Sequence, residues 1–153
     1  MYLADVARGP VRAVAEARAV AGRGLAGDRY ERGMGTFSDW PADHEFTLIE
    51  AEVIEAALAD YPGLVLAPGE HRRNVATRGV RLNDLVGKRF RIGAEVLCEG
   101  TRLCEPCAHL EVITGKGGLC RVLAGRGGLR ARLLTSGMIR LGDPITREEC
   151  FPH

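Results

Sequence analysis

The segment RFRIGAEVLC, residues 89–98, places two short apolar runs on either side of a single glycine. Residues 89–92 alternate charged and apolar side chains, which is typical of a strand with one buried face. Gly93 allows a sharp turn, and residues 94–98 form a second extended run. We therefore expect the two runs to pair as adjacent strands, and the same arrangement recurs along most of the chain.

Other short apolar segments are separated by many of the chain's 20 glycines, as tight turns between strands require. Residues 11–20 fit either a two-sided strand or a poor helix. The remaining strand-like segments are residues 46–49, 72–77, 129–134, 138–141 and 144–146. Many short strands of this kind are typical of a β-barrel or a β-sandwich.

Helical signals are few. Residues 50–60 carry apolar side chains at helical spacing, and Pro62 and Gly63 end the pattern. The shorter helical segments are expected at residues 82–87, 106–112 and 119–123. Because no linker, low-complexity tract or repeat divides the sequence, we predict a mainly β fold with a few short helices in one domain, residues 1–153.

The charge balance bears on the class of partner. A formal net charge of +1 predicts no binding to nucleic acid and no attraction to an anionic membrane. All but two of the 21 basic residues are arginine, which suits bidentate recognition of anions, although a GC-rich genome also explains that ratio. No apolar run reaches the roughly 18 residues of a membrane span. The five cysteines, without an export signal, indicate free thiols in a reducing cytoplasm.

The stretch Arg72-Arg73-Asn74 is one candidate binding site. On an extended segment, Arg72 and Asn74 would face one side and Arg73 the other. Guanidinium and amide groups bind phosphates and polar heterocycles, so Arg72 and Asn74 would reach one ligand together. The alternative is a solvated strand edge whose arginines discourage aggregation.

Cys104 and Cys107 form a C-x-x-C motif about thirty residues later. The motif is compatible with a redox pair, half of a zinc site, a nucleophilic thiol or an inert buried pair. Nearby candidates for further zinc ligands are Cys98, His109 and Cys120. Cys107 is the better candidate for a reactive thiol, because Pro106 restrains the backbone and a helix beginning there would favour the thiolate.

A third cluster, GLAGDRY at residues 24–30, joins two glycines to Asp28 and Arg29. The aspartate is expected to brace a turn while the arginine projects from it. The cluster lacks the lysine and the hydroxyl residue of a P-loop. It fits an ordinary turn as well as an anion-binding loop.

Taken in order, these motifs resemble the MOSC domain, named for the C-terminal domain of molybdenum-cofactor sulfurases. The matching segments are GLAGDRY (24–30), FTLIEAE (46–52), RRNVATRG (72–79), LNDLVG (82–87), CEPC (104–107) and LGDPI (141–145). The resemblance covers nearly the whole chain. It implies a barrel-like, mainly β fold that binds the molybdenum cofactor, molybdopterin, whose pterin ends in a phosphate.

The resemblance also implies roles for particular residues. Arg29, Arg72 and Asn74 match the positions that hold the cofactor, and Cys107 matches the family's cysteine. In relatives this thiolate binds molybdenum, and in sulfurase-related proposals it carries persulfide sulfur. No family role transfers to Cys104.

Three functions follow from the resemblance. The first is molybdenum-dependent reduction of small N-hydroxylated or related oxidised compounds. The second is sulfur transfer through a persulfide on Cys107, with Cys104 available to resolve it. The third is a cofactor-binding module without catalysis.

The partners expected from these functions are a small-molecule substrate and either an electron-donor protein or a cysteine desulfurase. The chain carries no desulfurase domain, and neither Lys88 nor Lys116 stands in a Schiff-base motif. Pyridoxal phosphate is therefore expected only on a partner.

Overall fold

A curled six-stranded sheet forms the centre of the computed structural model, which describes residues 1–36, 38, 45–106 and 108–149. The strands assigned within these residues are β1 (Tyr2–Ala4), β2 (Val11–Ala13), β3 (Glu16–Val20), β4 (Gly24–Leu25), β5 (Phe46–Glu50), β6 (Val75–Thr77), β7 (Arg89–Ile92), β8 (Val96–Leu103), β9 (Leu129–Leu133), β10 (Gly137–Arg140) and β11 (Ile145–Arg147). The helices are α1 (Ala51–Asp60), α2 (Ala108–Thr114) and α3 (Leu119–Val122), with a 3₁₀ turn at Leu82–Leu85. The predicted mainly β fold with a few short helices is confirmed.

The large sheet has the strand order β11-β7-β8-β9-β5-β6 and curls into a half-barrel. Its neighbouring strands are antiparallel except β5 and β6, which run parallel because α1 and the following segment carry the chain back between them. A three-stranded sheet has the order β10-β3-β4, and β1 pairs with β2. The Tyr2 amide donates to the Asn74 carbonyl at 2.7 Å, so β1 lies beside the start of β6.

The predicted pairing around Gly93 is confirmed. β7 runs antiparallel to β8, with Phe90 opposite Cys98 and Ile92 opposite Val96. Gly93 has a φ of 64°, in the left-handed region that glycine adopts without steric cost. The second strand begins two residues later than predicted, at Val96, because residues 93–95 form the turn.

Two predicted segments differ from the structure. Residues 11–20 form two strands, β2 and β3, instead of one strand or a helix. The strand predicted at residues 72–77 covers only Val75–Thr77. Arg72 has a φ of 60°, and its amide donates to the Gly69 carbonyl at 2.9 Å, which makes a turn there. The alternation expected for Arg72 and Asn74 was therefore wrong, since neither residue lies in a strand.

The apolar core has two parts. The larger part fills the curve of the sheet and includes Phe46, Leu48, Phe90 and Leu129, all fully buried. The smaller part joins the three helices, and its buried members are Ala57, Leu110, Leu119, Val122 and Leu123. This second cluster packs α2 against the other helices, and one face of α2 borders a pocket. None of the described helices has the length and apolar character needed to cross a bilayer.

Candidate functional site

A pocket of about 70 Å³ lies between α2, the Arg72-Arg73 turn and the loop that follows β4. Its lining includes Arg29, Thr47, Arg72, Cys104, His109 and Ile113. Three motifs that are far apart in sequence, GLAGDRY, RRNVATRG and CEPC, therefore contribute to one cavity. Four arginines line this cavity, Arg29, Arg72, Arg73 and Arg130, beside one acidic residue, Glu105. Guanidinium groups in this number have the chemistry of an anion site.

Arg29 is held in the pocket wall by the preceding aspartate. Asp28 is fully buried, and its carboxylate accepts hydrogen bonds from the Ala4 amide at 3.0 Å and from Arg29 Nη1 at 3.3 Å. Arg29 Nη2 donates to the Arg72 carbonyl at 3.4 Å, and its guanidinium lies 4.8 Å from the Tyr30 ring centroid. Asp28 braces the turn as predicted. Arg29, however, is buried along the pocket instead of projecting into solvent.

Arg72 also lines this pocket. Its Nη1 donates to the Gly9 carbonyl at 2.9 Å, whereas its buried Nη2 has no hydrogen-bond partner among the described residues. Burial lowers the pKa of Arg72, and the nearby positive charge of Arg29 lowers it further. A buried guanidinium nitrogen without a partner is costly, so a hydrogen-bond acceptor that reached this atom would be stabilising.

Asn74 is not among the residues that line the pocket. Its side-chain oxygen accepts from the Thr47 amide at 3.1 Å and from the Thr47 hydroxyl at 3.3 Å. Its side-chain nitrogen donates to the Tyr2 carbonyl at 3.4 Å. These contacts fix Thr47, which does line the pocket, and they join β5 to β1 behind it.

Arg73 is a pocket residue that the predicted alternation placed on the opposite face from Arg72. It is buried, and its guanidinium donates to three backbone carbonyls: Gly127 at 2.9 Å, Cys104 at 3.2 Å and His71 at 3.3 Å. Arg73 thereby ties the CEPC loop to the turn that carries Arg72. The sequence contained no signal for this role beyond the adjacency of two arginines.

The described cysteines differ in their surroundings. Cys104 is buried and lines the pocket, whereas Cys98 lies in the sheet core, where burial raises the pKa of its thiol to about 12. Both are free thiols. Cys107, the predicted reactive thiol, lies outside the described residues. Within the described ranges no three histidine, cysteine or acidic side chains gather as a metal site.

His109 borders the pocket from the first turn of α2. Its Nε2 lies 3.2 Å from the Thr36 hydroxyl, which connects α2 to the loop after β4. Partial burial lowers the pKa of His109, and the positive charges of Arg8 and Arg72 lower it further. Arg8 is thus close enough to add to the positive field of the pocket, a contribution that no motif indicated.

His71 supports the Arg72-Arg73 turn from inside the protein. Its Nδ1 accepts from the Arg73 amide at 2.9 Å, and its ring meets the Tyr2 ring edge-to-face at 5.2 Å. Burial lowers the pKa of His71 to about 4, with smaller contributions from Arg73 and the N-terminal amine. The histidine is therefore neutral in the folded protein near pH 7.

This burial predicts a loss of stability in mild acid. At pH values above the unfolded-state pKa of 6.5, His71 is neutral in both states and has no effect. Between pH 6.5 and about 4 only the unfolded state takes up the proton, so stability falls as the pH falls. At pH 5 the contribution of His71 is a loss of about 2 kcal/mol relative to pH 7.

His71→Asn provides the comparison, because the asparagine oxygen can still accept the Arg73 amide hydrogen but does not titrate in this range. Urea denaturation of both proteins at pH 7 and pH 5 measures the difference. The parent should lose about 2 kcal/mol more than the variant between the two pH values. An equal loss in both proteins would show that His71 is not the titrating group.

Comparison with known proteins places this geometry in a family. The family model of the MOSC domain matches residues 26–146. The solved structure of the YuaD protein from Bacillus subtilis has a TM-score of 0.72 and 19% identity over 94% of this chain and 90% of that one. YiiM from Escherichia coli has a TM-score of 0.69 and 19% identity over 99% of this chain and 71% of its own.

YiiM from Geobacillus stearothermophilus has a TM-score of 0.61 and 22% identity over 70% of this chain, but the match spans only 55% of that relative. At these identities the solved structures establish the fold. A comparison with curated proteins gave no significant match.

Proposed function

The chain belongs to the MOSC domain family, and from this premise we propose that it binds the molybdenum cofactor and reduces a small N-hydroxylated or related oxidised compound. The phosphate end of the cofactor is assigned to the pocket between Arg29 and Arg72. Cys107 is assigned as the thiolate ligand of molybdenum. Asn74 is assigned an indirect part, because its amide holds Thr47 in the pocket wall.

The observation that supports this proposal is the buried Nη2 of Arg72, which has no hydrogen-bond partner among the described residues. Arg29 lines the same small cavity, as do Arg73 and Arg130. Two like charges repel, and the Arg29 charge already lowers the pKa of Arg72. A phosphate dianion between them would relieve this repulsion and accept the free donor.

The dimensions of the pocket are consistent with one end of the cofactor. A volume of about 70 Å³ is small, so the pocket is assigned to the phosphate end of the cofactor alone. The bound cofactor would supply two-electron chemistry at its metal. The residues of this chain would bind and orient the cofactor, and Tyr30 and Ile113 would limit the access of water to its phosphate.

A second candidate function is sulfur transfer, favoured by the buried thiol of Cys104 in the same pocket. In that function a cysteine desulfurase supplies a persulfide sulfur to Cys107. The Cys104 thiolate then attacks the Cys107 sulfur, which forms a disulfide and releases hydrosulfide. An external thiol must reduce that disulfide before the next turnover.

The experiment that tests the proposed function compares Cys107→Ser with the parent, both made in a host that synthesises the cofactor. Serine changes the volume little but removes the soft ligand that molybdenum prefers. The molybdenum content should fall at least about tenfold in Cys107→Ser. Metal analysis and pterin fluorescence measure the result.

Cys104→Ser is the matched control and should retain its molybdenum. Equal molybdenum content in the parent and Cys107→Ser would contradict the assignment of Cys107 as the metal ligand. A loss of molybdenum in Cys104→Ser alone would identify Cys104 as the ligand instead. Labile sulfane sulfur on Cys107 in a protein without molybdenum would support sulfur transfer instead.

A further inference from the structure

A second compartment of about 350 Å³ adjoins the candidate pocket and shares Arg72 and Ile113 with it. Arg8 lines it from the loop between β1 and β2. The apolar part of its wall comprises Pro10, Val11, Pro68 and Ile113. The volume falls in the range of cavities that bind small organic molecules.

The two arginines of this compartment share a rare backbone conformation. Arg8 has a φ of 59° and Arg72 a φ of 60°, and they are the only non-glycine residues with positive φ in the described part of the chain. The left-handed region is unfavourable for residues with a Cβ, and such strain is concentrated at functional sites. The Arg72 guanidinium also donates to the Gly9 carbonyl, which links the two strained turns.

The charges around this compartment do not cancel. Its one acidic lining residue within the described ranges, Glu70, accepts from the Ala67 amide and pairs with Lys116. The Glu70 charge is therefore balanced by Lys116. The positive charges of Arg8 and Arg72 remain, and Arg8 is exposed and able to meet a ligand.

We propose that this compartment binds a small organic carboxylate, with the carboxylate on Arg8 and the hydrocarbon body against Pro10, Val11 and Ile113. An arginine can bind both oxygens of a carboxylate at once, while the apolar wall favours a ligand with a carbon skeleton over a bare inorganic anion. Arg72 lies in the wall that the two cavities share and stays assigned to the neighbouring pocket, so the carboxylate is assigned to Arg8 alone.

The position of the compartment suggests what the carboxylate is. It opens beside the pocket assigned to the cofactor, and Arg8 is near enough to lower the pKa of His109 in that pocket. A molecule held by Arg8 would thus lie beside the bound cofactor. The carboxylate is then the acid group of the substrate, an identification that rests on the proposed function, whereas binding of the carboxylate does not.

Benzoate and its neutral isostere benzamide test the site in the full chain as purified. Two-dimensional NMR titration or calorimetry measures their binding to the parent, Arg8→Gln, Arg8→Lys and Arg23→Gln. Arg23 is an exposed arginine outside the lining of this compartment, so its variant controls for net charge. The parent should bind benzoate at least about tenfold more tightly than benzamide.

Arg8→Gln should abolish that preference, Arg8→Lys should keep part of it, and Arg23→Gln should keep all of it. Equal binding of benzoate and benzamide by the parent would overturn the proposal, as would an unchanged preference in Arg8→Gln. A loss of pterin and molybdenum in Arg8→Gln would also overturn it, because the compartment would then belong to the cofactor. A parent that lacks molybdenum but binds benzoate through Arg8 would contradict only the proposed function.

Discussion

Replacing Asp28 with alanine is expected to lower the free energy of unfolding by about 4 kcal/mol. The carboxylate is fully buried and forms an ion pair with Arg29, whose side chain is only 10% exposed. Its removal leaves a desolvated guanidinium without that partner and the Ala4 amide without its acceptor. Urea denaturation followed by circular dichroism measures the change.

Asp5→Ala is the matched control, because Asp5 forms an exposed ion pair with Arg12. Pairs of that kind contribute less than about 1 kcal/mol. The loss of stability in Asp28→Asn should be intermediate between those of Asp28→Ala and Asp5→Ala. The asparagine amide oxygen can still accept a hydrogen bond, but the negative charge is lost. A loss in Asp28→Ala no larger than in Asp5→Ala would mean that the Arg29 turn does not depend on this carboxylate.

Replacing Arg73 with methionine is expected to lower the free energy of unfolding by about 3 kcal/mol. Methionine keeps much of the apolar contact but leaves the carbonyls of His71, Cys104 and Gly127 without their common donor. Because Arg73 ties the CEPC loop to the turn that carries Arg72, the Cys104 thiol should also become more accessible. The rate of its alkylation by iodoacetamide, followed by peptide mass spectrometry, measures that change.

The control for this change is Arg78→Met, which removes an exposed arginine paired with Glu55. It should change stability by less than about 1 kcal/mol and leave the alkylation of Cys104 unaltered. If Arg73→Met reacted no faster than the parent at Cys104, the proposed tie between Arg73 and the loop would be wrong.

The spacing of apolar residues predicted the secondary structure correctly wherever that structure depends on residues that are close in sequence. The alternation in Arg89–Ile92 and the turn at Gly93 predicted a strand pair, and the helical spacing of residues 50–60 predicted α1 to within one residue. These elements depend on which face of a short segment is apolar. The same reasoning wrongly predicted a strand at Arg72. Arg72 adopts a left-handed backbone conformation in a turn, and such a turn is not recognisable in the sequence when the residue is not glycine.

Residue chemistry and motif order thus identified from sequence alone a mainly β chain, its family and two of the arginines that meet in the candidate pocket. Tertiary structure decided what those side chains do. The side chain of Asn74 is hydrogen-bonded to Thr47, and that of Arg73 donates to three backbone carbonyls. The buried Nη2 of Arg72 has no hydrogen-bond partner among the described residues. Such roles depend on which distant backbone groups are buried beside a side chain, and only the folded chain brings those groups together.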